Sequence, residues 1–323
     1  MKAYLLKEPG STENLILTEL PIPVPADNEV LIKVKAISIN PVDVKTRAGK
    51  ALYSTLQHLK PFILGWDISG TVIATGKDVV NFQIDDDVFG MVNFVGHGQA
   101  YAAYVAAPEN HLALKPSNIS FEEAAAATLA ALTAWQALTT HVNVKPADKI
   151  LIHAASGGVG HYAVQIAHYL GAHVTGTSSS TNKNFVLELG ADVHIDYNQQ
   201  KFEETTNGFD IILETIGGEN FIRSLDILNE KGTIINLIPD QESEGPAGST
   251  PQKSTLELAG ERGLNALYFP VTSNGSDMHQ IAILLEKGIL RSHIFKTYSF
   301  EALPEAHLQI ESGRTAGKVV VLI

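Results

Sequence analysis

The sequence predicts an α/β protein in two parts, a β-rich domain followed by a doubly wound parallel sheet. Three observations predict it. At 149–172 a glycine turn stands between a short apolar run and a helix-period pattern. From there strand-like and helix-like segments alternate to about residue 270. The first 115 or so residues read instead as short strands parted by Pro and Gly.

The glycine turn organises the second part. Ile150-Leu151-Ile152 has the length of a buried parallel strand. Ala155-Ser156-Gly157-Gly158-Val159-Gly160 makes the turn. Val159, Ala163, Ile166, Ala167 and Leu170 then recur at helical spacing up to the stop at Gly171. Strand, glycine turn and helix in this order form a dinucleotide-binding fingerprint, with Ala155 in the place of the first glycine. Gly157 lets backbone N–H groups approach a pyrophosphate, and Gly160 lets helix and strand pack closely. Ser156, Gly157, Gly158 and Val159 are therefore candidate cofactor contacts, at a helix N-terminus that favours phosphate.

In the first part, strands are expected at 29–36, 70–74, 87–92 and 100–105, as in a compact β domain or barrel. Ser120-Phe121-Glu122-Glu123 is a capping box that opens a long Ala-rich helix to about residue 140. Further strands are expected at 150–154, 173–177, 192–195, 209–214, 232–237 and 264–269. The segment 239–251, rich in Gly, Ser, Glu and Pro, reads as a mobile loop. A helix is expected at 277–287. The terminal Lys318-Val319-Val320-Val321-Leu322-Ile323 is too apolar for a tail and is expected to return to the first domain. The expected domains are thus 1–121, 122–270 and a return segment, 271–323.

Composition narrows the function. The 323 residues carry a formal net charge of -12, which argues against nucleic acid and anionic membranes as partners. There is no cysteine, which excludes disulfides, thiolate zinc sites and cysteine nucleophiles. No leader or membrane span is evident, so a cytoplasmic protein is expected.

Several motifs now fall into one order: Ser38-Ile39-Asn40-Pro41-Val42-Asp43-Val44-Lys45, Gly65-Trp66-Asp67-Ile68-Ser69-Gly70, Leu129-Ala130-Ala131-Leu132-Thr133-Ala134-Trp135, the glycine turn, Glu214-Thr215-Ile216-Gly217-Gly218 and Gly317-Lys318-Val319-Val320. In this set the chain resembles the medium-chain dehydrogenase/reductase superfamily, in its zinc-independent NADPH:quinone oxidoreductase branch. The resemblance implies a GroES-like substrate domain, a Rossmann cofactor domain and a homodimer. It also implies Thr133 and Thr215 as cofactor contacts. The zinc-dependent cousins carry His-Glu where this chain has Trp66-Asp67, and tryptophan cannot ligate zinc, so no metal site is expected.

NADPH is the expected cofactor. NAD sites place an Asp or Glu about twenty residues past the turn to bind the ribose. Here no acid occurs from Gly158 to Leu187, and Ser178, Ser179 and Lys183 suit a 2′-phosphate instead. The resemblance adds Tyr197 as a contact to the same phosphate. The bland reading is a polar loop with a solvated lysine.

The expected reaction is hydride transfer from NADPH to a small-molecule quinone or to the activated C=C of an enone. Negative charge then gathers on a carbonyl oxygen, and preorganised donors there lower the barrier. Asn40 and Lys45 are the candidates, with Tyr53 a third. Asp43 either orients Lys45 or caps a turn. The alternative is an NADPH-binding structural or regulatory protein with little turnover.

Overall fold

The computed structural model describes residues 1–238 and 253–323, so the expected loop at 239–251 lies outside the described residues. Two compact units emerge, one of residues 1–133 with 271–323, the other of residues 134–270.

In chain order the first unit holds β1 (Lys2–Leu6), β2 (Leu15–Glu19), β3 (Glu29–Ile39), α1 (Pro41–Arg47), α2 (Tyr53–Leu56), β4 (Asp67–Thr75), β5 (Asp87–Met91), β6 (Tyr104–Pro108), β7 (Leu112–Leu114) and α3 (Phe121–Ala126). Helix α4 (Leu129–Trp135) runs across the boundary between the units. The second unit holds β8 (Lys149–Ile152), α5 (Gly160–Tyr169), β9 (His173–Ser178), β10 (Val193–Asp196), β11 (Phe209–Glu214), β12 (Leu228–Asn236) and β13 (Asn265–Tyr268). The chain then re-enters the first unit with β14 (Ile294–Ser299) and β15 (Lys318–Leu322).

β3 is the spine of the first unit. It pairs antiparallel with β4, with β6 and with the terminal β15, where Val319 faces Ile39 and Val321 faces Ile37. The sheet order is β14-β15-β3-β4-β5-β7. The apolar run at the C-terminus is therefore a central strand, and Val319, Val320 and Val321 are fully buried. The division after Thr133 lies later than the expected 121/122. The reason is packing: Ala125 and Ala126 of α3 sit against Ala36 and Val320, and Ser69 Oγ donates to the Phe121 carbonyl at 2.6 Å.

The expected continuous helix from Ser120 is interrupted. Its capping box forms, with Ser120 N donating to Glu123 Oε2 at 2.8 Å and Glu123 N to Ser120 Oγ at 3.2 Å. Then Thr128 Oγ1 donates to the Ala125 carbonyl at 2.8 Å, and Leu129 N donates to Asp67 Oδ1 at 3.0 Å. A carboxylate thus takes an amide from the first turn of α4 and restarts the helix there. The expected strand at 100–105 lies later, as β6, because Ala100 and Tyr101 donate instead to the carbonyls of Gly65 and Leu64.

Among the described residues the strands of the second unit form a six-stranded sheet, all parallel, in the order β10-β9-β8-β11-β12-β13. Counted from β8 this is the doubly wound order 3-2-1-4-5-6, whose switch point falls between β8 and β11. One face of the sheet packs Leu151, Ile212 and Ile234 against Phe202, Phe221 and Leu225. Among the described residues no helix is long and apolar enough to cross a membrane.

Candidate cofactor and active sites

The glycine turn follows β8 directly. Ala154 adopts φ +47°, and Gly157 N donates to its carbonyl at 2.8 Å, which closes the turn. A Cβ on Gly160 would lie 2.2 Å from that carbonyl oxygen and 2.8 Å from Ala155 Cα, so only glycine lets α5 start this close to the strand. A Cβ on Gly157 would meet only Ala154 within 4 Å, so the backbone is otherwise open on that side. This cradle fits a dinucleotide's pyrophosphate, held by backbone N–H groups.

Asn182, which the sequence reading missed, ties the turn to the loop after β9. Its Nδ2 lies 3.2 Å from Ser156 Oγ and 3.3 Å from Ser179 Oγ. Ser179 Oγ is also 2.8 Å from Thr181 Oγ1. An Asn beside a serine run carries no signal of its own, since the contact needs the β8 and β9 ends side by side. Ser179, Lys183 and Tyr197 are at least partly exposed at this end of the sheet, Tyr197 at 59%. Ser178 is placed differently: it is buried, and its hydroxyl is occupied by the Ser179 carbonyl at 3.1 Å and His194 Nε2 at 2.8 Å. Asp196 is paired in register with Ser178, and its Oδ1 accepts from Asn198 N at 3.0 Å.

Across the switch point Thr215 Oγ1 donates to the His153 carbonyl at 3.1 Å. The turn that bears it is held by buried Glu214. Its Oε1 accepts from Ile216 N at 2.6 Å and Gly217 N at 3.0 Å, and its Oε2 accepts from Asn220 Nδ2 at 2.7 Å. His153 is a buried structural residue. Its ring nitrogens meet Thr177 Oγ1 at 3.2 Å and Ser224 Oγ at 3.0 Å, and burial holds its pKa below the usual imidazole value.

In the first unit, α1 sits directly after β3. Asp43 resolves its alternatives: Asn40 N donates to its Oδ2 at 2.6 Å, so it caps the helix. Asp43 is fully buried, whereas Lys45, two residues on, is half-buried in the last turn of α1. Tyr53 opens α2 and stacks at a tilt on Phe62, with ring centroids 5.9 Å apart. Thr133 is buried in α4, and its hydroxyl donates to the Leu129 carbonyl at 2.8 Å.

Asn40 is 2% exposed and lies in a buried polar network. Its Nδ2 donates to Asp67 Oδ2 at 2.7 Å, and the same oxygen accepts from Ser38 Oγ at 2.6 Å. Its Oδ1 accepts from the Lys318 ammonium. The sequence reading quoted Lys318 and Asp67 within motifs without giving either a role. Burial, with Asp67 nearby, pushes the Asp43 carboxyl up to about 8. A carboxyl raised on folding favours the fold while protonated. That contribution is full below the unfolded value of 3.8 and is lost as pH rises through about 8. Relative to Asp43→Asn, the parent protein should lose stability steadily over this window. Parallel denaturant titrations at several pH values check this, and a flat difference would mean that Asp43 ionises freely in the fold.

His97 and His111 accept backbone N–H groups, from Ile63 at 3.4 Å and Asn93 at 3.2 Å. Among the described residues no group of three or more His, Cys, Asp or Glu is placed to hold a metal ion.

A parallel sheet in this order with a glycine turn at its switch, in one chain with a β-rich unit that the last strand completes, defines a class: the two-domain nicotinamide-dependent oxidoreductases. Comparison with known proteins is specific. Residues 26–117 match the alcohol dehydrogenase GroES-like domain, and residues 189–321 match the zinc-binding dehydrogenase family. The chain is 32% identical to a 2-methylene-furan-3-one reductase of Solanum lycopersicum, over 99% of this chain and 79% of that protein. The quinone oxidoreductase from Coxiella burnetii superposes with a TM-score of 0.91 at 34% identity, covering 100% of this chain and 99% of that one. The Escherichia coli quinone oxidoreductase complexed with NADPH gives a TM-score of 0.86 at 26% identity, with 100% of both chains covered. The chain belongs to the medium-chain dehydrogenase/reductase superfamily, in its quinone oxidoreductase branch. It is an NAD(P)H oxidoreductase.

Proposed function

We propose that this protein is a zinc-independent, NADPH-dependent reductase of quinones and of α,β-unsaturated carbonyls. The observation that carries this reading is that relatives at 32% and 34% identity, matched over 99% and 100% of this chain, are named for both substrate classes, one a furanone reductase and one a quinone oxidoreductase. The bound nicotinamide supplies the hydride. Ser156, Gly157, Gly158 and Val159 hold the pyrophosphate, Thr133 and Thr215 contact the cofactor, and Ser178, Ser179, Lys183 and Tyr197 surround the 2′-phosphate. Of these, Ser178 supports the loop from beneath rather than through its hydroxyl. Lys45 is the proposed donor to the substrate oxygen, with Tyr53 a further candidate. Asn40 keeps a supporting part, because its amide is held on both sides.

NADPH oxidation measured against a panel of quinones and enones tests the reading. Cofactor binding with no turnover on any of them would establish a structural or regulatory protein instead. A homodimer belongs to the same reading: β13 is the outer strand of its sheet, with Tyr268 exposed.

Lys183→Ala should weaken NADPH binding about tenfold and leave NADH nearly unchanged. A charge-assisted bond is worth about 1.5–3 kcal/mol, and exposure of Lys183 places the effect at the low end. Titration of both cofactors decides it; equal losses would remove the phosphate role.

The residues present do not fit a zinc centre. Trp66 fills the ligand position, buried, with Nε1 donating to the Gly96 carbonyl at 2.7 Å, and the chain has no cysteine. Turnover should therefore survive exhaustive chelation. Activity lost with stoichiometric zinc and restored by it would reverse this reading.

A further inference from the structure

Lys318 opens the last strand and is 3% exposed. Its ammonium donates to Asn40 Oδ1, lies 3.5 Å from the Ile39 carbonyl and stands 3.7 Å from Asp67 Oδ2. Asn40 is thus gripped between a cation at its amide oxygen and a carboxylate at its amide nitrogen. A flipped amide would turn its NH2 toward the ammonium and its oxygen toward Asp67, so the charges select one orientation. Asn40 is also the N-cap of α1, and its own backbone N–H is taken by Asp43. The end of the chain therefore fixes the start of the helix that carries Lys45.

A buried ammonium is a poor choice for stability alone. Its desolvation is costly, and apolar residues of similar volume often serve as well or better. The arrangement makes sense if what it fixes is geometry. We propose that Lys318 is a positioning residue for the reaction, acting through the Asn40 amide to set the first turn of α1. This rests on the reading of α1 as the substrate-side helix.

The test compares Lys318→Met, Lys318→Arg, Asn40→Ala and the Asn40→Ala/Lys318→Met pair by kcat and KM on a quinone and an enone, NADPH Kd and thermal midpoint. Lys318→Met should lower kcat on the enone about tenfold while NADPH Kd stays within about twofold, because the pyrophosphate cradle lies in the other unit. Lys318→Arg, which keeps the cation, should recover part of the loss. On the Asn40→Ala background, Lys318→Met should cost less than about twofold more, since the path through Asn40 is already cut. A purely structural lysine would shift the midpoint without this kinetic pattern.

Should Lys318→Met fail to fold because Asp67 is left uncompensated, the charge-neutral Asp67→Asn/Lys318→Met protein takes its place under the same thresholds. An enone kcat within about twofold of the parent, or a full further loss on the Asn40→Ala background, overturns the proposal. A parent protein that binds NADPH and turns over neither substrate class overturns the functional reading and this proposal together. An active parent with an unaffected lysine variant overturns this proposal alone.

Discussion

Gly160→Ala is expected to lower NADPH affinity at least tenfold and to destabilise the second unit. The added Cβ would stand 2.2 Å from the Ala154 carbonyl oxygen and 2.8 Å from Ala155 Cα. Both are backbone atoms, so no side chain can swing away. Either α5 retreats from β8 or the turn opens, and in both cases the N–H groups proposed to hold the pyrophosphate move. Overpacking of this kind costs about 1–3 kcal/mol, and about 1.4 kcal/mol is already tenfold in a binding constant. Gly260→Ala is the internal control. It sits in the helix Thr255–Glu261, and a Cβ there meets nothing within 4 Å, so the substitution should be neutral or mildly stabilising. Isothermal titration with NADPH and thermal unfolding of the three proteins decide the matter. Undiminished affinity in Gly160→Ala would show that the close approach of helix and strand is not what forms the cradle.

The same glycine shows why the fold was legible in the sequence. An apolar run, a glycine turn and a helix-period pattern are local signals, and each is satisfied by residues close in the chain. The six strands of the second unit were placed on that basis, and the C-terminal return followed from the apolarity of the Val319–Val321 stretch. What the sequence did not show depends on residues far apart. Helix periodicity from Ser120 has no local break, because the break comes from Asp67, whose carboxylate takes the Leu129 amide. Asn182 looks like any polar loop residue until β9 sets it against Ser156. Ser178 reads as a phosphate ligand from its place in a serine run, whereas strand alternation turns its hydroxyl inward to His194. Asn40 has a donor group suited to an oxyanion, yet Lys318 and Asp67 hold its amide from β15 and β4, and Ser38 of β3 bonds the same Asp67 oxygen. Composition identifies groups that can do chemistry; the tertiary contacts decide which of them are already committed.

Lys45→Met should lower kcat on enones by at least tenfold with little change in NADPH affinity. Hydride delivered to the β-carbon of an enone leaves an enolate before protonation, and its charge must rest on oxygen. An ammonium held near that oxygen stabilises it strongly when water is excluded, because low dielectric strengthens the interaction. Of the proposed donors, Asn40 is gripped within the network, and Lys45, half-buried in the last turn of α1, is the one that carries a positive charge. Removing one oxyanion donor typically costs about a hundred- to a thousandfold in kcat, and tenfold is the least the proposal requires. Methionine keeps most of the apolar stem, so packing changes little. A cation near a helix C-terminus also contributes stability, about 0.3–1 kcal/mol, but that contribution shifts the thermal midpoint and leaves kcat alone. Quinones are intrinsically easier to reduce, so their turnover should fall less, and the ratio of the two losses is the signature of charge stabilisation. The measurement is kcat for one enone and one quinone in Lys45→Met beside the parent. If both stay within a factor of about two, Lys45 is a surface residue, and the oxyanion is held by Tyr53 or by water.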